Sequence, residues 1–213
     1  MGRQVRAEVT REAVLRGAAE VFVREGYANA SLNEIIEEAG VTKGALYFHF
    51  GSKEELARGV IDAGYARMAA ETAVKTDRRA PALEAAIELS VLNVDLAETD
   101  PVVRAMFRLL VEIGDYRGAE ERPFDVWLEE LKELTRRAGD EGDLAEHVDT
   151  DAFALLLMEA GIGARTVGAA MSGTKHLTER IEAMWSLLLP SVVPPSKLEY
   201  FRQFAARRLR LQS

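Results

Sequence analysis

The sequence predicts an all-α protein. Apolar residues recur at three- and four-residue spacing in nearly every segment, no stretch alternates with the period of a strand, and glycine and proline punctuate the helical patterns. At 213 residues, 48% of them hydrophobic, the chain is large enough to bury a substantial core.

The elements follow in order. Val14, Ala18, Val21 and Phe22 lie on one face of a first helix, and Gly26 is placed to stop it. Ser31 followed by Glu34 is a capping box, in which hydroxyl and carboxylate satisfy the exposed amides at a helix start. Leu32, Ile35, Ile36 and Ala39 give that second helix its inner face, and Gly40 ends it. Thr42 caps a third helix of about two turns, with Leu46 and Phe50 on one side and Lys43 and Tyr47 on another. Ser52 with Glu55 repeats the capping box and opens a longer helix through Leu56, Val60 and Ile61. The chain thus opens with three short helices, and Gly40-Val41 is a turn of helix-turn-helix length.

Beyond Ala73 the helices are longer, with breaks expected at Arg79 to Pro81, Thr99 to Pro101, Gly114 to Pro123, Gly139 to Val148, Ser172 to His176 and Pro190 to Pro195. The stretch from Val102 to Ile113 is apolar almost all round except for a stripe of Arg104, Arg108 and Glu112, which predicts a deeply placed helix. Phe124, Trp127, Leu128, Leu131 and Leu134 form an ordinary inward stripe on the next.

Charge and composition narrow the chemistry. The net charge of -8, taken as a sum, argues against nucleic acid, yet the segment from Gly40 to Lys53 contains no acid, and Arg3, Arg6 and Arg11 cluster near the start. Without cysteine there is neither a disulfide nor a thiolate zinc site, and His49, His147 and His176 are not at ligand spacing, so no metal or cofactor is expected. No G-x-S-x-G and no phosphate loop after a strand is present, so the reading is not an enzyme. MGRQVRAEV lacks an apolar run, and Ala152 to Ala164, interrupted by Glu159, falls short of the roughly 20 residues of a membrane span. The expectation is a soluble, cytoplasmic protein with no membrane partner.

A helix entering a DNA major groove needs small residues on its exposed face and phosphate-holding donors around them. Gly44 and Ala45 are small, Thr42 and Lys43 reach outward, and Tyr47, His49 and Lys53 supply donors. By spacing alone the same features also suit a close-packed helical hairpin with solvated lysines. Residues Ala28 to Leu56, with SLNEIIEEAGVTKGALYFHFGSKEEL at their heart, resemble the DNA-binding region of the TetR family of bacterial repressors. The resemblance implies base contacts from Thr42 and Lys43, close approach at Gly44 and Ala45, and phosphate contacts from Ser31, Tyr47, His49 and Lys53, with Arg3 and Arg6 in an N-terminal arm. It also implies a helix-turn-helix domain over residues 1–52, a ligand-binding and dimerisation domain over 53–213, and a homodimer on a palindromic double-stranded operator.

RQVRAE, VTKGALYFHF, DPVVRAMFRL, RPFDVWLEE and the AMW ending at Trp185 are similar to the γ-butyrolactone autoregulator receptor branch of that family, repressors released by small lactone-type signals. That likeness implies a ligand cavity lined by Trp127, with Phe107, Leu110, Thr166 and Trp185 as further candidates, and a dimer interface on residues 151–171 and 177–189. Gly64 and Leu131 offer no hydrogen bond where related receptors differ in polar residues, so a different small apolar effector, or a regulator that binds DNA without a lactone ligand, stays open.

Overall fold

The computed structural model describes residues 2–75, 79–114, 123–172 and 176–210. Ten helices and no strand occur among them: α1 (Gly2–Asn29), α2 (Leu32–Ala39), α3 (Lys43–His49), α4 (Lys53–Lys75), α5 (Ala82–Thr99), α6 (Pro101–Ile113), α7 (Pro123–Asp140), α8 (Thr150–Ser172), α9 (Leu177–Val192) and α10 (Pro195–Arg210). They form two compact units, Met1–Ala70 with Leu96–Tyr116, and Glu71–Asp95 with Arg117–Ser213. By packing, α6 and most of α4 group with the first three helices.

In the first unit the core is built where the apolar spacing puts it. Val14, Ala18, Val21 and Phe22 of α1, Ile35 of α2, Leu46 of α3 and Leu56, Val60 and Ile61 of α4 are all fully buried. α1 is longer than the short helix expected, running back to Gly2, and its helical geometry breaks at Gly26, where φ is 79° and ψ 170°. Only glycine adopts that conformation without strain. Gly17 matters for a different reason: a Cβ there would lie 2.7 Å from the Ala39 backbone nitrogen and 2.7 Å from its Cβ, so α1 and α2 touch main chain to main chain.

α6 begins as its sequence suggests. Pro101 occupies the first turn, and the Asp100 carboxylate accepts from the Val102 amide at 2.8 Å. Val102, Val103, Ala105, Met106, Phe107, Leu109 and Leu110 are buried, as the nearly all-round apolar pattern requires. Its polar stripe is fully employed. Arg104 donates to the carbonyls of Ala97 and Glu98, each at 2.7 Å; Arg108 donates to the Val23 carbonyl; and Glu112 accepts from the Tyr27 amide at 2.6 Å. Asp100 also receives Arg67 in a two-pronged pair at 2.7 and 2.8 Å, and Arg67 reaches Glu12 as well. These bonds join α6 and α4 to α1.

In the second unit α7 and α8 form an antiparallel pair. The Thr135 hydroxyl donates to the Thr150 carbonyl at 2.8 Å, and Arg136 pairs with Asp151 at 2.7 Å. Phe153 of α8 meets Trp185 of α9 edge to face at 6.5 Å between ring centres. Phe201, Ala205 and Leu209 bury the inner face of α10, and the buried Asp143 carboxylate accepts from Lys197 at 2.7 Å. The break expected between Pro190 and Pro195 is narrower than that span: α9 continues through Pro190 to Val192, and α10 starts at Pro195. Pro190 and Ser186, whose carbonyl loses an amide donor there, are both on the exposed side, so solvent takes the missing donor's place.

Thr150–Met171 of α8 is long and apolar enough to cross a membrane by length and composition. It carries Glu159 and Arg165 near its middle, each of which would oppose insertion by about 2–3 kcal/mol or more.

The main-chain contact of α1 with α2 yields a direct expectation. Gly17→Ala gains helix propensity but must push Ala39 away, so the variant should lose about 1–3 kcal/mol in a urea melt. A midpoint at or above that of wild type would show that the two helices are not in main-chain contact.

Candidate nucleic-acid interface

α3 has seven residues and would not persist alone in water. Leu46 is fully buried and Phe50 nearly so, and these two side chains hold the helix on its neighbours. Its start is fixed by Thr42, whose hydroxyl oxygen accepts from the Ala45 amide at 3.2 Å, leaving the hydroxyl proton free to point outward. The turn before it is fixed by Gly40 in the left-handed conformation, φ 63°, whose amide donates to the Glu37 and Ile36 carbonyls. Ser31 caps α2 in a complete capping box with Glu34, whose carboxyl is held below the usual glutamate range first by the Ser31 hydroxyl and then by its amide.

The face turned away from the protein is the informative one. Thr42, Lys43, Gly44, Tyr47 and Phe48 are all exposed. Lys43 Nζ sits 5.9 Å from the centre of the Tyr47 ring, a lysine stem laid along an aromatic with its charge outward. A Cβ added to Gly44 would meet nothing within 4 Å, so nothing within this protein requires a glycine there. The residue is small toward the outside. Phe48, one turn after Gly44 on the same face, is 77% exposed against 45% for Tyr47, so the ring that gains least from the protein is the one turned furthest out. Sequence reasoning did not assign Phe48 to the site, although its i+4 relation to Gly44 carried the signal.

Flanking acids are turned to other work. Glu34 is engaged with Ser31, Glu38 with Arg24 at 3.1 Å, Glu54 with Arg58 at 2.6 Å, and Glu55 accepts from the Gly51 amide at 2.8 Å. The last bond shifts the second capping box by one residue: Ser52 accepts from the Glu55 amide at 3.1 Å as expected, but the carboxylate reaches back to Gly51. The result is a small, aromatic and cationic surface with no carboxylate of its own, suited to a polyanion.

The expected contacts divide by geometry. Thr42, Lys43, Gly44 and Tyr47 share the open face, with Ala45 and His49 half-buried at its edges. His49 meets the Phe48 ring edge to face at 5.0 Å. Ser31 is exposed, but its hydroxyl both accepts from the Glu34 amide and donates to the Glu34 carboxylate at 2.7 Å. Lys53 is committed further still: its ammonium donates to the carbonyls of Tyr27 at 2.8 Å, Ala30 at 2.9 Å and Ala28 at 3.3 Å, and lies 4.7 Å from the centre of the Tyr27 ring. A phosphate would have to compete with those bonds. Arg6 is exposed on the helical start of α1 rather than in an extended arm, and the Arg3 side chain lies outside the described residues.

The expected ligand residues fall in both units. Phe107 and Leu110 are buried in the first. In the second, Trp127 is half-buried on α7, Thr166 is exposed on α8, and Trp185 is fully buried with its indole N–H facing no acceptor among the described residues. No cluster of metal-binding side chains occurs among the described residues.

Known proteins share both the sequence and the shape of this chain. Residues 14–60 match the family model described as bacterial regulatory proteins, tetR family, and residues 80–194 match the tetracyclin repressor-like C-terminal domain. The chain is 28% identical to the A-factor receptor protein of Streptomyces griseus over 95% of its own length and 70% of that protein's. It is 31% identical to the HTH-type transcriptional repressor BepR of Brucella suis over 90% of its length and 99% of the repressor's. Among solved structures, a γ-butyrolactone receptor described as ArpA-like superposes with a TM-score of 0.83 at 30% identity, covering 96% of this chain and 98% of the other. CprB of Streptomyces coelicolor in complex with its operator sequence gives 0.85 at 32% identity, covering 95% and 98%.

The arrangement of Lys53 predicts a stability effect. Lys53→Met should destabilise the protein by about 2–3 kcal/mol in chemical denaturation, because three carbonyls lose a charged donor. An unchanged midpoint combined with weaker DNA binding would place the ammonium on phosphate instead.

Proposed function

This chain belongs to the TetR family of bacterial regulatory proteins, and we propose that it is a homodimeric repressor whose α3 helices read a palindromic operator and whose second unit takes a small γ-butyrolactone-like effector that releases the DNA. The observation that carries the DNA half is the outer face of α3: a glycine the protein does not need, framed by Thr42, Lys43, Tyr47 and Phe48, with the carboxylates of Glu34, Glu38, Glu54 and Glu55 engaged elsewhere. Base edges are reached by Thr42 and Lys43 across Gly44, and Tyr47 and His49 steady the backbone. In this division of labour residues 1–52 bind DNA and residues 53–213 sense the effector and dimerise.

Two-fold symmetry is needed to place two α3 helices about 34 Å apart on one face of the duplex. α8 and α9 expose Leu155, Leu156, Val167, Met171 and Leu187, a set of large apolar side chains that a second copy would cover. Effector binding is assigned to Trp127, which offers an indole face and one N–H donor from a half-buried position. Trp185, wholly enclosed against Phe153, serves the core. Release requires that the effector prefer the conformation unable to bind the operator; turning a 1:99 balance into 99:1 needs a preference of about 10⁴-fold.

A regulator that has lost its lactone response is the second reading, favoured by Leu131, a buried apolar side chain one turn after Trp127 where a polar partner for a ring oxygen would be useful. Gel shifts with a duplex selected from a random pool distinguish the two. Lys43→Ala should lower discrimination between selected and random duplex at least tenfold, and Trp127→Ala should keep operator binding while losing release by lactones. If wild type holds the operator against every lactone the second reading stands, and if it prefers no duplex at all the DNA assignment is wrong.

A further inference from the structure

One side chain on the outer face of α3 has no use for a phosphate. Phe48 is 77% exposed, and its ring carries neither a donor for a backbone oxygen nor an acceptor. Leaving so much apolar surface in water is unfavourable, and Leu46 and Phe50 already anchor the helix without it. The ring is oriented all the same. His49 meets it edge to face at 5.0 Å between ring centres, and the inward-turned Phe50 stands 6.4 Å from His49 in its turn.

Position on the helix decides what the ring can reach. Helical side chains lean toward the N-terminus, so the Phe48 ring inclines over the turn that contains Gly44 and Ala45. A Cβ at Gly44 would meet nothing within 4 Å, so the space beside that glycine is open. The outcome is a notch with bare backbone at its floor and a phenyl ring at one end, while the exposed Thr42 and Lys43 stand at the other. An incoming group there meets hydrogen-bonding side chains first and an apolar wall behind them.

Among the groups that base pairs present in the major groove, the thymine C5-methyl is the apolar one; the others donate or accept hydrogen bonds. We propose that Phe48 determines specificity by reading one thymine in each half of the operator, its ring closing over the C5-methyl of a base that approaches beside Gly44. The ring is continuous with Thr42, Lys43 and Tyr47, a polar and cationic surface suited to a polyanion, which sets it against a duplex and not against a protein or a lipid. Cytosine, which lacks the methyl, would leave the ring against water. This inference rests on the DNA reading above and names a base for it.

Uracil differs from thymine by that methyl alone, so deoxyuridine substitution tests the assignment. In the palindromic duplex selected by the full-length protein, each symmetry-related pair of thymines is replaced in turn and binding is followed by gel shift. Burying one methyl group is worth about fourfold, so one such pair should weaken wild type by about 15-fold. Phe48→Ala should bind the thymine duplex as weakly as wild type binds the uracil one, and should no longer distinguish the two. Phe48→Leu should keep part of the difference. Urea melts check the fold; if Phe48→Ala shifts the midpoint, Phe48→Leu carries the comparison, and an undiminished thymine preference in it counts against the proposal. Three results overturn it while leaving the DNA reading in place: no thymine pair at which uracil weakens wild type, a preference that survives Phe48→Ala, or equal weakening of selected and random duplex by Phe48→Ala, the mark of a backbone contact. A wild type that prefers no duplex at all fails the DNA reading itself, and this inference with it.

Discussion

The first unit depends on how the end of α1 is held. Gly26 turns the chain out of helical geometry, and the residues after it present backbone groups that no helix satisfies. Three charged side chains from two other helices supply the partners: Lys53 takes the carbonyls of Tyr27, Ala28 and Ala30, Glu112 takes the Tyr27 amide, and Arg108 takes the Val23 carbonyl just before the turn. The start of α4, the end of α6 and the end of α1 are thereby fixed to one another. Arg108 and Glu112 are also joined at 2.6 Å, so the clamp on α6 is itself braced. Bonds to charged groups carry directionality that apolar packing lacks, and here they set the base on which α2 and α3 sit.

That base allows α3 to be short and to keep its outer face free. A helix of seven residues stabilised by propensity would need alanine and leucine throughout; this one relies on Leu46 and Phe50 pressed into the core and a hydroxyl cap at its start. Its remaining positions are released from structural duty. Gly44 illustrates this, since it sits in the first turn of α3 and yet contacts nothing that would demand a glycine. Glu34, Glu38, Glu54 and Glu55 serve as caps and ion-pair partners, so a chain of net charge -8 still presents an α3 face without a carboxylate of its own.

Much of this could be read from residue order. Local devices were legible because they act within four residues: the Ser31–Glu34 box, the Thr42 cap, the Gly40 turn and the Asp100–Pro101 start all form as their spacing implies. The apolar pattern of α6 also foretold its burial. Long-range partners were not legible. Nothing near Lys53 announces that its ammonium will reach back to Tyr27, and a lysine at a helix start beside a DNA-reading helix invites the phosphate role instead. The stripe of Arg104, Arg108 and Glu112 was visible as a stripe, but its purpose depends on carbonyls and amides that include some far away in sequence. Arg165 is the same case on α8: its guanidinium donates to the main-chain carbonyl of Asn93 at 3.2 Å, and the apolar residues on both of its sides conceal that inward direction.

On the proposed reading, residues Thr42 to Phe48 meet DNA and are held outward by a packed and clamped base. Hydrogen–deuterium exchange with and without a selected palindromic duplex measures this over the whole chain at once. The strongest protection on DNA binding is expected in the amides of residues 42–49, with the clamp at Tyr27 already slow to exchange in the free protein. Protection confined to other helices, with residues 42–49 exchanging as fast in the complex as alone, would contradict it.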